Sequence, residues 1–129
     1  MPARTHAPKV FLADDSEAIR ERVSAILVGA GMTVTGEGAT PEACTVAILA
    51  LRPDVVVLDV QLEGGSGLQV LRQVRACAPG IAFIVFSNNS GPAYRKHYLR
   101  AGAVGFLDKS TEFEQLARAV LLACRPDHD

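Results

Sequence analysis

Short apolar runs alternate with helix-period segments along the chain. Val10-Phe11-Leu12-Ala13 is apolar throughout and ends in two acids, Asp14 and Asp15. From about Ser16 to Ala30, Ile19, Val23, Ile26, Leu27 and Ala30 recur at helical spacing, and Gly29 and Gly31 lie where such a helix stops. Met32 to Gly36 reads as a weaker strand. Thr40-Pro41-Glu42 is a helix start, with a hydroxyl to cap the first turn and proline at the first helical position; the helix is expected to reach about Leu51.

Val55-Val56-Val57-Leu58 is an uninterrupted run led by β-branched residues, the pattern of a strand covered on both faces. A Gly-rich loop, Glu63 to Gly67, follows. Leu68, Leu71 and Val74 mark a third helix, ended by Pro79-Gly80. Ile81 to Phe86 is a second fully apolar strand, Pro92 to Ala101 a fourth helix, and Val104 to Leu107 a fifth strand. Phe113, Leu116, Ala117, Val120, Leu121 and Cys124 form the stripe of a closing amphipathic helix. Five strands alternating with five helices predict a parallel α/β sheet with helices on both faces. Right-handed crossovers and short loops favour a doubly wound sheet, whose site lies at the carboxyl ends of the strands.

Composition narrows the function classes. A chain of 129 residues, 49% hydrophobic and 21% charged, has the size and balance of one globular domain. Lys and Arg total 13 against 14 Asp and Glu, scattered without a basic stripe, so direct nucleic-acid binding has no electrostatic support. Cys44, Cys77 and Cys124 are far apart in apolar helical stretches and read as small buried hydrophobes of a reducing compartment. Residues 1–8 are expected to be a flexible polar tail rather than a signal peptide or lipid anchor, and residues 125–129 a short C-terminal tail. No stretch approaches a membrane span, and a cytoplasmic location is the expectation. His6, His97 and His128 have no ligand or base partner at a readable spacing.

The strand ends carry the chemistry. The first strand delivers Asp14 and Asp15, the third Asp59, the fourth Ser87 and the fifth Lys109. Carboxylates about 4 Å apart repel by roughly 4 kcal/mol per pair at an effective dielectric of 20. Either their pKa values rise or a cation sits among them, and hard oxygen donors without His or Cys suit Mg²⁺ or Mn²⁺. Metal, ammonium and hydroxyl together suit a phosphoryl group carried on a carboxylate. Asp59, alone at a strand end before a flexible loop, is the preferred nucleophile, and Asp14 and Asp15 the preferred metal binders. Taken singly, Asp15 and Ser16 could cap the first helix, Asp59 could be a turn residue, and Lys109 a solvated lysine.

With these residues in place, the chain from Lys9 to Cys124 resembles a response-regulator receiver domain, the kind phosphorylated by sensor histidine kinases. The resemblance rests on the segment from Val10 to Ser16, on Val55 to Leu62 with Gly67, on Ile84 to Ser87, and on Ala101 to Lys109. It implies a flavodoxin-like sheet of order 2-1-3-4-5, with Asp59 as phosphoacceptor. It also implies Mg²⁺ held by Asp15, by Asp14 largely through water, by Asp59 and by the Gln61 backbone carbonyl. Ser87, Lys109 and the Asn88 backbone would bind the phosphoryl oxygens, and Phe106 would turn inward as Ser87 is drawn to them. Gln61 and Asn89 fall at positions that tune attack of water on the acyl phosphate.

The implied partners are a sensor histidine kinase or histidine phosphotransfer protein and a downstream protein target, with pairing of two copies compatible. The implied output surface surrounds Tyr94, His97, Leu99, Phe106 and Arg118. Such a domain is a signalling switch that catalyses only its own phosphorylation and slow dephosphorylation, and a stand-alone regulator is the preferred expectation. Glu63, Asn88 and Ser110 depart from the usual proline, small residue and proline. A haloacid-dehalogenase-type phosphatase would want Asp-x-Asp on the first strand, where this chain has adjacent acids. A receiver-like docking module that never uses phosphate would commonly lack an acid or the lysine.

Overall fold

Each apolar run forms a strand and each helix-period segment a helix. The computed structural model describes residues 7–89 and 91–124. His6, His128, the C-terminal tail and most of the N-terminal tail lie outside the described residues. The order is β1 (Lys9–Ala13), α1 (Glu17–Gly29), β2 (Thr33–Gly38), α2 (Pro41–Leu51), β3 (Val55–Leu58), β4 (Gln61–Leu62), β5 (Gly65–Ser66), α3 (Gly67–Cys77), β6 (Ala82–Ser87), α4 (Pro92–Ala101), β7 (Gly105–Asp108), a 3₁₀ turn at Phe113–Gln115, and α5 (Leu116–Ala123).

The main sheet runs β2-β1-β3-β6-β7, with every pair parallel. Counted without the short β4–β5 hairpin, this is the expected 2-1-3-4-5 order. Alternation along the strands divides the core in two. Phe11, Val56, Leu58, Phe83 and Val85 face Cys44, Ile48, Val70, Leu71 and Tyr98. Val10, Leu12, Val55, Val57, Ile84 and Phe86 face Val23, Leu27, Leu116 and Val120. Both faces of β3 are covered, which is why its sequence lacks a polar alternation.

Local chemistry sets the element ends. Ser16 Oγ accepts from the Ile19 N–H at 3.2 Å, and Thr40 Oγ1 from the Ala43 N–H at 3.1 Å, so both hydroxyls cap helices as their positions foretold. Gly102 closes α4 at φ +118°, a conformation that favours glycine.

Three expectations change. The Gly-rich loop is an antiparallel hairpin, Gln61 opposite Ser66 and Leu62 opposite Gly65. The closing helix begins as a 3₁₀ turn at Phe113–Gln115, and Leu121 on its expected stripe is largely exposed. Cys44 and Cys124 are buried, but Cys77, the last residue of α3, is exposed. Among the described residues no helix is long and apolar enough to cross a membrane.

Candidate functional site

Hydrogen bonds between neighbouring strand ends bring the candidate side chains together. The Asp59 N–H donates to the Ala13 carbonyl at 2.9 Å, the Asp14 N–H to the Gly38 carbonyl at 3.0 Å, and the Lys109 N–H to the Ser87 carbonyl at 3.1 Å. These bonds fix the exits of β1, β3, β6 and β7 in one cleft. Gly67 holds the floor: a Cβ there would collide with the Asp59 carbonyl, and its own N–H donates to the Val60 carbonyl at 2.8 Å. A side chain at this position would push the hairpin off Asp59.

Asp14, Asp15 and Asp59 each offer a carboxylate oxygen, and these oxygens lie within 4.8 Å of one another. Asp14 and Asp59 are buried while Asp15 is exposed, so the triad opens to solvent on one side. The donors are all hard oxygens, and an acidic triad of this kind fits a divalent cation of the Mg²⁺ type. Lys109 closes the opposite side, with Nζ 2.6 Å from Asp14 Oδ2 and 2.9 Å from Asp59 Oδ2. Asp14 Oδ1 also accepts from the Ser16 N–H at 2.9 Å.

Burial raises the Asp14 pKa above the usual carboxylate value. Hydrogen bonds from Lys109 and the Ser16 backbone and the ammonium's charge oppose the rise without cancelling it. For Lys109, burial alone would favour loss of the proton, but hydrogen bonds and charge from Asp14 and Asp59 outweigh it and lift the pKa above the ordinary lysine value. Lys109 therefore stays cationic throughout the neutral range.

Ser87, 1% exposed at the end of β6, accepts through Oγ from the Asn89 N–H at 3.0 Å. Asn88 beside it is exposed. Gln61 opens the hairpin two residues after Asp59 and is exposed. Phe106 is 3% exposed, with its ring edge-on to Tyr98 at 6.2 Å between centroids. β7 aims this ring into the core, in one cluster with Tyr98 of α4. Tyr94, His97 and Leu99 are exposed on α4 and Arg118 on α5, but Tyr94 and His97 line a cavity on the α3 side of α4.

Of the unusual residues, Glu63 is exposed in the hairpin turn, its N–H donating to the Ala39 carbonyl at 2.9 Å. Ser110 replaces a rigid proline with two hydrogen bonds to Asp108 Oδ1, from N at 2.7 Å and Oγ at 2.5 Å.

Sequence reading missed Arg20. Its Nη1 donates to the Asp14 carbonyl at 2.6 Å and its Nε to Glu37 Oε1 at 2.9 Å, tying α1, β2 and the acidic loop together. Its position next to Ile19, on the edge of the helix's apolar stripe, was the available signal. Tyr98 was missed too: its hydroxyl donates to the Val60 carbonyl at 3.4 Å, and burial pushes its pKa up to about 12.

A five-stranded doubly wound sheet with an acidic triad, a hydroxyl and a lysine at its strand ends defines a receiver-type signalling domain. The chain belongs to the response regulator receiver domain family, which matches residues 10–121. A receiver domain is a signalling phosphoacceptor rather than an enzyme with an external substrate. The DNA-binding transcriptional activator DevR/DosR of Mycobacterium tuberculosis is 34% identical over 114 residues, covering 87% of this chain and 52% of the relative. Response regulator GacA of Pseudomonas aeruginosa is 28% identical over 113 residues, covering 87% of this chain and 53% of the relative. The chain thus spans about half the length of these curated relatives. The NarL signal receiver domain of M. tuberculosis superposes with a TM-score of 0.87 at 30% identity, over 95% of this chain and 99% of that one.

Proposed function

We propose that Asp59 accepts a phosphoryl group from a phosphohistidine on a sensor histidine kinase or phosphotransfer protein. The carrying observation is the Lys109 ammonium shared between Asp14 and Asp59, at 2.6 and 2.9 Å, beside a third carboxylate that faces solvent. A carboxylate oxygen of Asp59 attacks phosphorus in line, the phosphorus–nitrogen bond breaks, and the departing imidazole keeps its electron pair. Lys109 neutralises charge on the phosphoryl oxygens, and the Ser87 hydroxyl and Asn88 backbone donate hydrogen bonds to them. Asp14, Asp15, Asp59 and the Gln61 carbonyl would hold Mg²⁺, which when bound supplies the positive charge that lets an anionic phosphoryl group approach three acids. Gln61 and Asn89 flank the path by which water would reach the acyl phosphate.

Ser87 supports a switching role. Its hydroxyl accepts from the Asn89 N–H and keeps its own proton to donate, so a phosphoryl oxygen that takes that proton is linked through Ser87 to the loop before α4. Moving a mostly inactive population to a mostly active one takes about 5 kcal/mol of differential binding, which several charge-assisted hydrogen bonds supply. The readout is altered binding of a downstream protein.

The test is incubation with acetyl phosphate and Mg²⁺, with and without EDTA, read on a phosphate-affinity gel and by intact mass. Labelling that needs the cation and disappears in Asp59→Asn is expected. Labelling that persists in that variant would assign the nucleophile elsewhere, and none in the native protein would favour a docking module without phosphate chemistry.

A further inference from the structure

The α3 side of α4 carries a feature that the Asp59 chemistry does not use. Two cavities adjoin there, of about 490 and 500 Å³, and Ala93 and His97 line both. Together they form one trough between α4 and the hairpin–α3 wall. Its upper half is apolar and aromatic, walled by Val60, Leu68, Tyr94 and Tyr98. Its lower half is cationic, with Arg72 of α3 facing Lys96 and Arg100 of α4.

The charge, expected to be scattered along the chain, is one-signed over a long stretch. Between Glu63 and Asp108 the sequence has no Asp or Glu, yet it carries Arg72, Arg75, Arg95, Lys96 and Arg100. Among the described residues, Arg72, Lys96 and Arg100 take part in none of the salt bridges, which join Arg20 to Glu37 and Lys109 to Asp14 and Asp59. All three are exposed. Like charges set close together across a groove cost stability, and that cost is relieved when an anionic partner enters.

We propose that this trough docks an acidic segment of a partner protein, one apolar side chain seated beside Leu68 and Tyr94 and carboxylates along Arg72, Lys96 and Arg100. An amphipathic helix or extended strand laid in a groove is bound in this way, its apolar anchor giving affinity and its charges register. Nucleic acid fits less well. The cationic half faces only about two turns of helix, too short for many phosphates, and the other half is apolar and leads to a hairpin whose turn carries Glu63. Asn89 borders the apolar half and donates to Ser87, so occupancy also touches the switch loop. Docking itself needs no phosphoryl group, and its failure would leave the Asp59 reading intact.

The probe is an acetylated peptide of about 12 residues, matching the roughly 15 Å length of α4, with Leu and Phe one turn apart among glutamates. Its binding to the full chain is followed by fluorescence anisotropy and by amide chemical shifts. Saturable binding on the order of 50 µM is expected, with shifts confined to α3, α4, the hairpin and the adjoining residues Val60 and Asn89. Arg72→Glu with Arg100→Glu weakens it about tenfold or more while leaving acetyl phosphate labelling unchanged, and Arg72→Gln weakens it without reversing charge. A control peptide with Leu and Phe changed to Ser binds more weakly. No saturable binding, shifts elsewhere, affinity that survives both sets of variants, or tighter binding of a duplex DNA of equal charge would each overturn the proposal.

Discussion

Lys109 Nζ lies 2.6 Å from Asp14 Oδ2, with both side chains less than a tenth exposed. The same carboxylate is a lysine counterion and a candidate metal ligand, so ammonium and divalent cation compete for it. Removing the ammonium shifts that competition. Lys109→Gln is expected to bind Mg²⁺ more tightly, seen as a larger rise in Tm on adding MgCl2, yet to label with acetyl phosphate about tenfold or more slowly. Equal labelling rates would remove Lys109 from the phosphoryl-binding role.

Asp14 provides a pH test. Burial raises its folded pKa above the unfolded carboxylate value. Its contribution to stability is therefore fully present below the unfolded pKa and is lost as pH rises through the raised folded pKa. Asp14→Asn in EDTA is expected to be more stable than the native chain at pH 7, seen as a higher Tm. The advantage should shrink toward pH 4. Thermal melts from pH 4 to 8 check this, and a lower Tm for the variant at pH 7 would mean that the Lys109 pair outweighs burial. The same variant should lose most cation-dependent labelling.

Gly67 is a backbone contact rather than a flexible loop residue. Since a Cβ there would meet the Asp59 carbonyl, Gly67→Ala is expected to cost about 2 kcal/mol or more and to slow labelling by displacing Asp59. Urea unfolding with acetyl phosphate kinetics on the folded fraction separates the two effects.

Phe106 supplies a contrast. Because its ring is buried against Tyr98, Phe106→Ala should open a cavity and cost about 3 kcal/mol, while labelling per folded molecule persists. Chemical denaturation gives the first quantity and intact-mass labelling the second. Lost labelling in folded protein would make Phe106 part of the phosphoryl site rather than of the switch.

Most of the architecture was legible because the strands bury both faces, so Val10–Ala13, Val55–Leu58 and Ile81–Phe86 are unbroken apolar runs that mark their own ends. Asp14, Asp15, Asp59, Ser87 and Lys109 were legible for a related reason: each is the first or second polar residue after an apolar run ends. The hairpin was not, since Gln61–Ser66 has no alternation and owes its shape to Gly64 at φ +81° and to the Ser66 N–H bond to Gln69 Oε1. Nor were the roles of Arg20 and Tyr98, whose partners (the Asp14 and Val60 carbonyls, and Glu37 for Arg20) are distant in the chain or on the backbone, where no spacing rule identifies them. The basic trough depends on how α3 and α4 lie beside each other, a tertiary fact that periodicity does not carry.

Arg20 yields the last prediction. It touches neither Asp15 nor Asp59 through any hydrogen bond of the described residues, yet its guanidinium joins the Asp14 carbonyl to Glu37 across the rim of the cleft. Charge-assisted bonds with a side chain this little exposed contribute more than a surface pair, about 1.5–3 kcal/mol for the bond to the carbonyl. Arg20→Met keeps the length and apolar stem but removes both bonds, so the loop holding Asp14 and Asp15 should loosen while Asp59 and Lys109 stay in place. The expected result is a several-fold higher Mg²⁺ concentration for half-maximal labelling, with the rate at saturating Mg²⁺ near that of the native chain. A purely structural role would instead lower Tm and leave that midpoint unmoved. Arg20→Lys, which restores the charge but not the planar two-site geometry, should recover only part of the loss. Titrating MgCl2 against the labelling rate for the three proteins distinguishes a positioning residue from a scaffold one.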